Sequence, residues 1–296
     1  MLLHLIQDEI MWPSSFNTFA VKISTLSISA LLLSACASQP ETKPITLHIF
    51  DCGEIEVRDV SLFSPGVDEG ITKQMVDSCY LIQHPKGTLI WDTGLSDAIG
   101  SDGIEKWKGA FFMSVPKTFS SQLSEIGINP MQIDYLGVSH FHSDHVGNAN
   151  LFTNAKLVIQ KEEHDAAFSE NAEKFGFDAS LYEQVNREKI DVIEGDKDLF
   201  GDGSVIIKRA IGHTPGHQVL FVNLKETGPV VLSGDLYHFT KNRTHKRVPS
   251  FNFNKEQTLS AMEDIEKFVK DKNAKLWIQH DKEQNQTLKH SPEFYQ

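Results

Sequence analysis

Residues 139–148 read SHFHSDHVGN, which places His140, His142, Asp144 and His145 within six positions. Imidazole and carboxylate together suit zinc, manganese, cobalt or ferrous iron, whereas soft copper sites want thiolate or thioether. Two histidines at i and i+2 can hold one ion where a strand end turns, and the Asp–His pair that follows can reach a second. Three more ligand-type residues recur in the same setting, at the tip of an apolar run: His213 in AIGHTPGH, Asp235 in LSGD and His280 in IQHD. A carboxylate from elsewhere in the chain can bridge two ions. Two ions about 3.5–4 Å apart share a hydroxide and clamp a substrate oxygen, which is the chemistry of hydrolysis near neutral pH. Any one of these residues alone is ordinary; seven in this order define a dinuclear centre for two divalent metals, zinc first, with iron, manganese or cobalt as substitutes.

Such a centre needs strands that end in loops at one edge. ITLHIF (45–50), SCYLIQ (78–83) and TLIWDTG (88–94) have the composition of short strands, and the HPKG turn makes 78–92 a hairpin. IDYLGVSH (133–140) delivers the histidine-rich loop, and KLVIQ (156–160) is the next strand. SVIIKRAIGHTPGHQVLFVNL (204–224) reads as strand, turn and strand, followed by GPVVLSGDLYH (228–238) and AKLWIQHD (274–281). Asn254 is placed to cap a helix whose Leu259, Met262, Ile265 and Phe268 share a face. Composition predicts helix over 95–133, where Trp107, Phe111, Phe112 and Phe119 either line an apolar trough or pack as core. It predicts helix again over 161–189, interrupted near Gly176. The pattern is that of one α/β domain spanning 45–296, with helices outside β layers.

The net charge of −12 argues against nucleic acid or an anionic membrane surface as the main partner; the basic stretch TKNRTHKR (240–247) reads as a solvated loop. VKISTLSISALLLSAC (21–36) is too short and too serine-rich for a comfortable span but suits the apolar region of an export signal. Its end, LSAC, resembles a bacterial lipobox. The resemblance implies a signal sequence over 1–36, lipidation at Cys36 and a polar tether over 37–44. It also implies an exported lipoprotein, held to the membrane by its lipid alone; Ala37 favours the outer membrane, facing the periplasm. Cys52 and Cys79 are open to a disulfide in an oxidising compartment, but their apolar neighbours favour two buried thiols.

HFHSDH, GHTPGH, SGD and QHD stand in the order found in the metallo-β-lactamase superfamily, and the chain resembles that family over about residues 45–285. The resemblance implies an αββα sandwich, two β-sheets flanked by helices, with the metal centre at one edge. It implies that His140, His142 and His213 hold one ion, that Asp144, His145 and His280 hold the other, and that Asp235 bridges. Asp92 in WDTG matches the family's aspartate that orients a ligand histidine. An aspartate at the bridge disfavours the drug-hydrolysing branch, where cysteine or serine is common. HIFDCGEI, CYLIQHPKGTLIWDTG and GHTPGHQ look most like the N-acyl-homoserine lactonases, quorum-quenching enzymes that open a lactone ring. Asp144 would then serve as proton donor as well as ligand. The best-known lactonases carry tyrosine three residues after the bridging aspartate; here that position is His238, with Tyr237 one residue earlier, and either can contact a lactone oxygen. A thioesterase of the same fold, a β-lactamase-like hydrolase and a mononuclear iron persulfide dioxygenase are the rival activities. His217 reads as a packed neighbour of the ligands.

Overall fold

The computed structural model describes Ser15 and residues 43–296; the rest of the signal sequence, Cys36 included, and residues 37–42 of the tether lie outside the described residues. Two sheets face each other. The larger runs β4 (Ile104–Lys106), β5 (Phe111–Ser114), β1 (Thr46–Val57), β2 (Lys73–His84), β3 (Gly87–Trp91), β6 (Tyr135–Gly137), β7 (Lys156–Gln160) and β8 (Asp191–Ile193) from edge to edge. The smaller runs β13 (Lys275–Trp277), β12 (Gly228–Leu232), β11 (Gln218–Leu224), β10 (Val205–Arg209) and β9 (Lys197–Asp198).

Strand side chains alternate between faces, so the central strands β2 and β3 feed two cores. Tyr80, Ile82, Leu89 and Trp91 point between the sheets, against Ile207, Leu220, Val230 and Leu232 of the smaller one. Their neighbours Leu81 and Ile90 point outward, to a core shared with α1 (Phe119–Glu125) and α3 (Lys161–Ala167). Burial on both faces is why these strands read as continuous apolar runs. On the outside of the smaller sheet lies α5 (Lys255–Lys272), which buries Ala261, Met262, Ile265 and Val269. Asn254 caps it, its side-chain oxygen accepting from Gln257 N at 3.0 Å. The short helices α2 (Ser143–Val146), α4 (Thr240–His245) and α6 (Lys282–Asn285) complete the αββα sandwich. Among the described residues no helix is long and apolar enough to cross a membrane.

Three expectations are corrected. Residues 95–133 hold a single short α-helix, α1, and three 3₁₀ turns; Gly100, Gly103 and Gly109 all take positive φ, which breaks helix, and residues 104–114 become the β4–β5 hairpin along β1. The stretch 161–189 is helical only to Ala167 and then proceeds in 3₁₀ turns, with Gly176 left-handed at φ 80°. Cys52 and Cys79 are buried, as their neighbours suggested, but they form a disulfide rather than two thiols. The β1–β2 register shifts between Asp51 and Gly53, leaving Cys52 as the bulged residue beside Cys79. Closing a loop with a sequence separation of 27 contributes about 3.5 kcal/mol by chain entropy. A Cys52→Ala/Cys79→Ala protein should lose stability of that order in urea, and dithiothreitol should lower the wild-type midpoint towards it. Identical midpoints with and without reductant would show that the cross-link contributes nothing.

Candidate metal centre and its cleft

The expected ligands arrive at strand ends. β6 leads into His140 and His142, α2 carries Asp144 and His145, β10 leads to His213, β12 to Asp235 and β13 to His280. They form two groups, His140/His142/His213/Asp235 and Asp144/His145/His280, in each of which the ligand atoms lie within 4.8 Å of one another. In the first, His140 Nε2 is 2.8 Å and His213 Nε2 3.2 Å from His142 Nδ1. Asp235 stands between the groups. Its Oδ2 is 3.2 Å from His213 Nε2, and its Oδ1 is 3.0 Å from His280 Nε2 and 3.3 Å from His145 Nε2.

Hydrogen bonds on the far side of the His142, His280 and His145 rings set their tautomers. His142 Nε2 is 3.2 Å from the Phe175 carbonyl and His280 Nδ1 2.8 Å from that of Val76. Each donates there, leaving its other nitrogen as a lone pair facing inward. His145 Nδ1 is held by Asp92 Oδ2 at 3.1 Å, whose Oδ1 accepts from Ser139 N at 2.6 Å. Asp92 therefore sits where it can orient His145, at the end of β3 with φ 55°. His217 donates through Nδ1 to the Ala210 carbonyl and accepts Asp235 N–H on Nε2, both at 3.0 Å, so it fixes the backbone of the central carboxylate. Close approach is enforced by Gly234, where a Cβ would lie 2.6 Å from Ser139 Cβ and where φ is 47°.

These residues fit divalent ions. Asp235 Oδ1 is buried with no hydrogen-bond partner, although two imidazole nitrogens stand within 3.3 Å. Among the described residues, the ion-pair contacts of Asp92, Asp144 and Asp235 are all to histidines, none to Lys or Arg. Burial pushes the pKa of His140 well below its ordinary value and that of His142 down to about 3, so both are neutral, the form that ligates. Burial also works against protonation of His280, yet the carboxylates of Asp235, Asp144 and Asp77 hold its pKa up to about 9. In that second group a metal ion would take the place of protons.

An open cleft leads to this centre. Its floor includes Asp144, Asp235, His238 and His280, and its walls include Ile55, Met75, Phe111, Met113 and Phe251. Trp107, 57% exposed, stands at the rim with its ring 5.2 Å from that of Phe251. Of the four aromatics singled out in 107–119, Trp107 and Phe111 line the cleft. Phe119 is core, and Phe112 packs over Gly103. Tyr237 is a correction: its ring is buried beneath α5 and its hydroxyl donates to Glu266 at 3.0 Å, away from the cleft. His238 faces in, with Nε2 2.9 Å from Asp235 Oδ2 and its ring 4.5 Å from that of Phe63.

Sequence reasoning passed over Ser139, Gln279 and Glu163. Ser139 Oγ lies 3.0 Å from the Nδ1 atoms of both His140 and His145, and Gln279 Nε2 lies 3.2 Å from His145 Nδ1. Adjacency to His140 and His280 was the available signal for the first two. Glu163 carried none, being one of two acidic residues in an ordinary first helical turn.

Sandwich, ligand order and cleft together define a metal-dependent hydrolase scaffold, and residues 74–280 match the metallo-beta-lactamase superfamily; the chain belongs to that family. Within it, the chain is 30% identical over 224 residues to an N-acyl homoserine lactonase of Bacillus thuringiensis, covering 73% of this chain and 85% of the relative. It is 26% identical to the N-acyl homoserine lactonase AttM of Azorhizobium caulinodans, over 73% and 86% of the two chains. Among solved structures, an N-acyl homoserine lactone hydrolase with N-hexanoyl-L-homoserine at its catalytic metal centre superposes with a TM-score of 0.74 at 24% identity, covering 85% of this chain and 99% of that one. The dizinc lactonase AidC superposes with a TM-score of 0.62 at 18% identity, covering 81% and 89%.

Proposed function

We propose that this protein opens the ring of lactones, N-acyl-homoserine lactones foremost, using two divalent ions, of which zinc suits the His/Asp donor set best. The observation that carries the reading is the cleft, which sets an apolar wall against a floor of ligand carboxylates and imidazoles. That arrangement fits a small polar ring with an acyl tail. The first ion would be held by His140, His142 and His213, the second by Asp144, His145 and His280, with Asp235 between them. When bound, the ions would lower the pKa of a water from about 15.7 towards about 7 and polarise the ester carbonyl.

The chain's own groups would handle binding and protons. The wall of Ile55, Met75 and Phe111 shelters the tail and excludes water from it. Asp144, with 18% of its side chain exposed, is open to the substrate at the cleft floor. It takes the proton released as water oxygen bonds to the carbonyl carbon, then returns it to the ring oxygen as the C–O bond breaks. The products are a hydroxyl and a carboxylic acid that ionises, so each turnover releases one proton. His238 stands where the known lactonases place tyrosine, and it contacts the carbonyl side of the ring. The test is proton release from a panel of lactones beside nitrocefin and a thioester. Turnover of the last two with no lactone opened would overturn the substrate assignment and favour a rival hydrolase of this fold.

His238→Phe should lower kcat about 10- to 100-fold with little change in KM, because a contact made mainly in the transition state is lost. A raised KM at unchanged kcat would instead make His238 a simple binding residue.

On the sequence alone we also propose export and anchoring through a lipid on Cys36. Cys36→Ser should then move the protein from the membrane to the soluble fraction. An unmodified wild-type N-terminus would rule the anchor out.

A further inference from the structure

Glu163 is buried, and its two carboxylate oxygens accept from two different loops. Oε1 takes Phe141 N–H at 3.0 Å, between His140 and His142; Oε2 takes Gly216 N–H at 2.7 Å, three residues after His213. The first loop leaves β6 of the larger sheet and the second enters β11 of the smaller. Among the described residues Glu163 has no Lys or Arg partner, unlike Glu162 beside it, which pairs with Arg209. A buried carboxylate without a counter-ion is costly unless hydrogen bonds offset it, and here both bonds go to ligand-bearing loops. The approach is tight: a Cβ at Gly216 would lie 2.3 Å from Glu163 N.

We infer that Glu163 is a positioning residue that ties the two sheets together at the centre and sets the spacing of His140 and His142 against His213. Resting on the dinuclear reading above, this assigns Glu163 to the first ion and not to the second. Asp144, His145 and His280 give no hydrogen bond to it; Asp92 holds His145 and the Val76 carbonyl holds His280 instead.

The test is Zn2+ affinity by chelator competition on the full chain, with Glu163→Ala placed in two backgrounds. His280→Ala leaves the first group complete, and His142→Ala leaves the second. Loss of a group that orients ligands typically weakens metal binding about 10- to 100-fold. That loss is expected for Glu163→Ala in the His280→Ala background, with a change below about threefold in the His142→Ala background. Near-UV circular dichroism of the metal-free variants reports whether the fold is kept. Should Glu163→Ala not fold, Glu163→Gln serves, since it keeps the volume but turns an amide N–H towards one of the two donors. Equal weakening in both backgrounds, or none in either, overturns the inference. A wild-type chain that takes up fewer than two Zn2+ overturns the dinuclear reading and the inference with it, so the two failures are told apart.

Discussion

Asp235→Asn is expected to strip metal from both ligand groups at once and to abolish turnover at ordinary metal concentrations. The side chain keeps its shape but loses its charge, and one end becomes an N–H donor aimed at imidazole lone pairs. Oδ1 and Oδ2 each face a different group, so neither group is spared. Breaking a buried, compensated charge typically costs about 3–5 kcal/mol, which corresponds to about 10²- to 10⁴-fold in affinity. Elemental analysis after gel filtration should fall from two ions per chain towards none, whereas His142→Ala should remove mainly the first. Asp235→Asn protein that keeps two ions and full activity would show that the carboxylate does not bridge.

Asp144→Asn should leave the first group intact and lower kcat by about 10²–10⁴-fold, the usual contribution of a proton donor or shuttle. Loss of the second ion would add to this, so the rate is compared at saturating metal. The dependence on leaving group separates the two effects. If Asp144 returns a proton to the departing ring oxygen, a thiolactone, whose leaving thiolate needs no proton, should be hurt far less than the oxygen lactone. An equal loss on both substrates would assign Asp144 to metal binding alone.

The gathering of these seven side chains was legible because each follows an apolar run and strand tips are where a sandwich gathers side chains. Asp235 and His280 could be paired with the 140–145 loop without knowing a single distance. Tyr237 was not legible. A 3₁₀ turn ends at Leu236, and Tyr237 is extended at φ −141° and ψ 137°; successive side chains then point to opposite sides. Whether 237 or 238 faces the cleft depends on the residue at which the turn ends, which composition does not encode. The disulfide was hidden for a related reason, since it needs both the β1–β2 register and the bulge at Cys52. The 95–133 segment misled because its apolar content suits helix, while Gly100, Gly103 and Gly109, all at positive φ, decide for a hairpin. Glu163 shows the limit most clearly, because its role lies in two backbone N–H groups that no residue type announces.

The walls of the cleft and its floor come from different parts of the chain. Ile55, Met75, Phe111, Met113, Trp107 and Phe251 lie on β1, β2, the β4–β5 hairpin with its turn, and the loop before α5, none of which supplies a ligand. The ligand loops, by contrast, are locked by glycines that admit no Cβ and by buried hydrogen bonds. If the wall holds an acyl tail as proposed, descendants of this chain can change it by single substitutions that remove no ligand side chain, Phe251 alone among the six packing against His213 and His238. A library drawn from those six positions should yield altered chain-length preference in folded, metal-loaded protein, whereas one drawn from the loops should yield mostly inactive protein. On that reading, evolvability in this molecule is a matter of layout, with wall and centre carried on different segments of one scaffold.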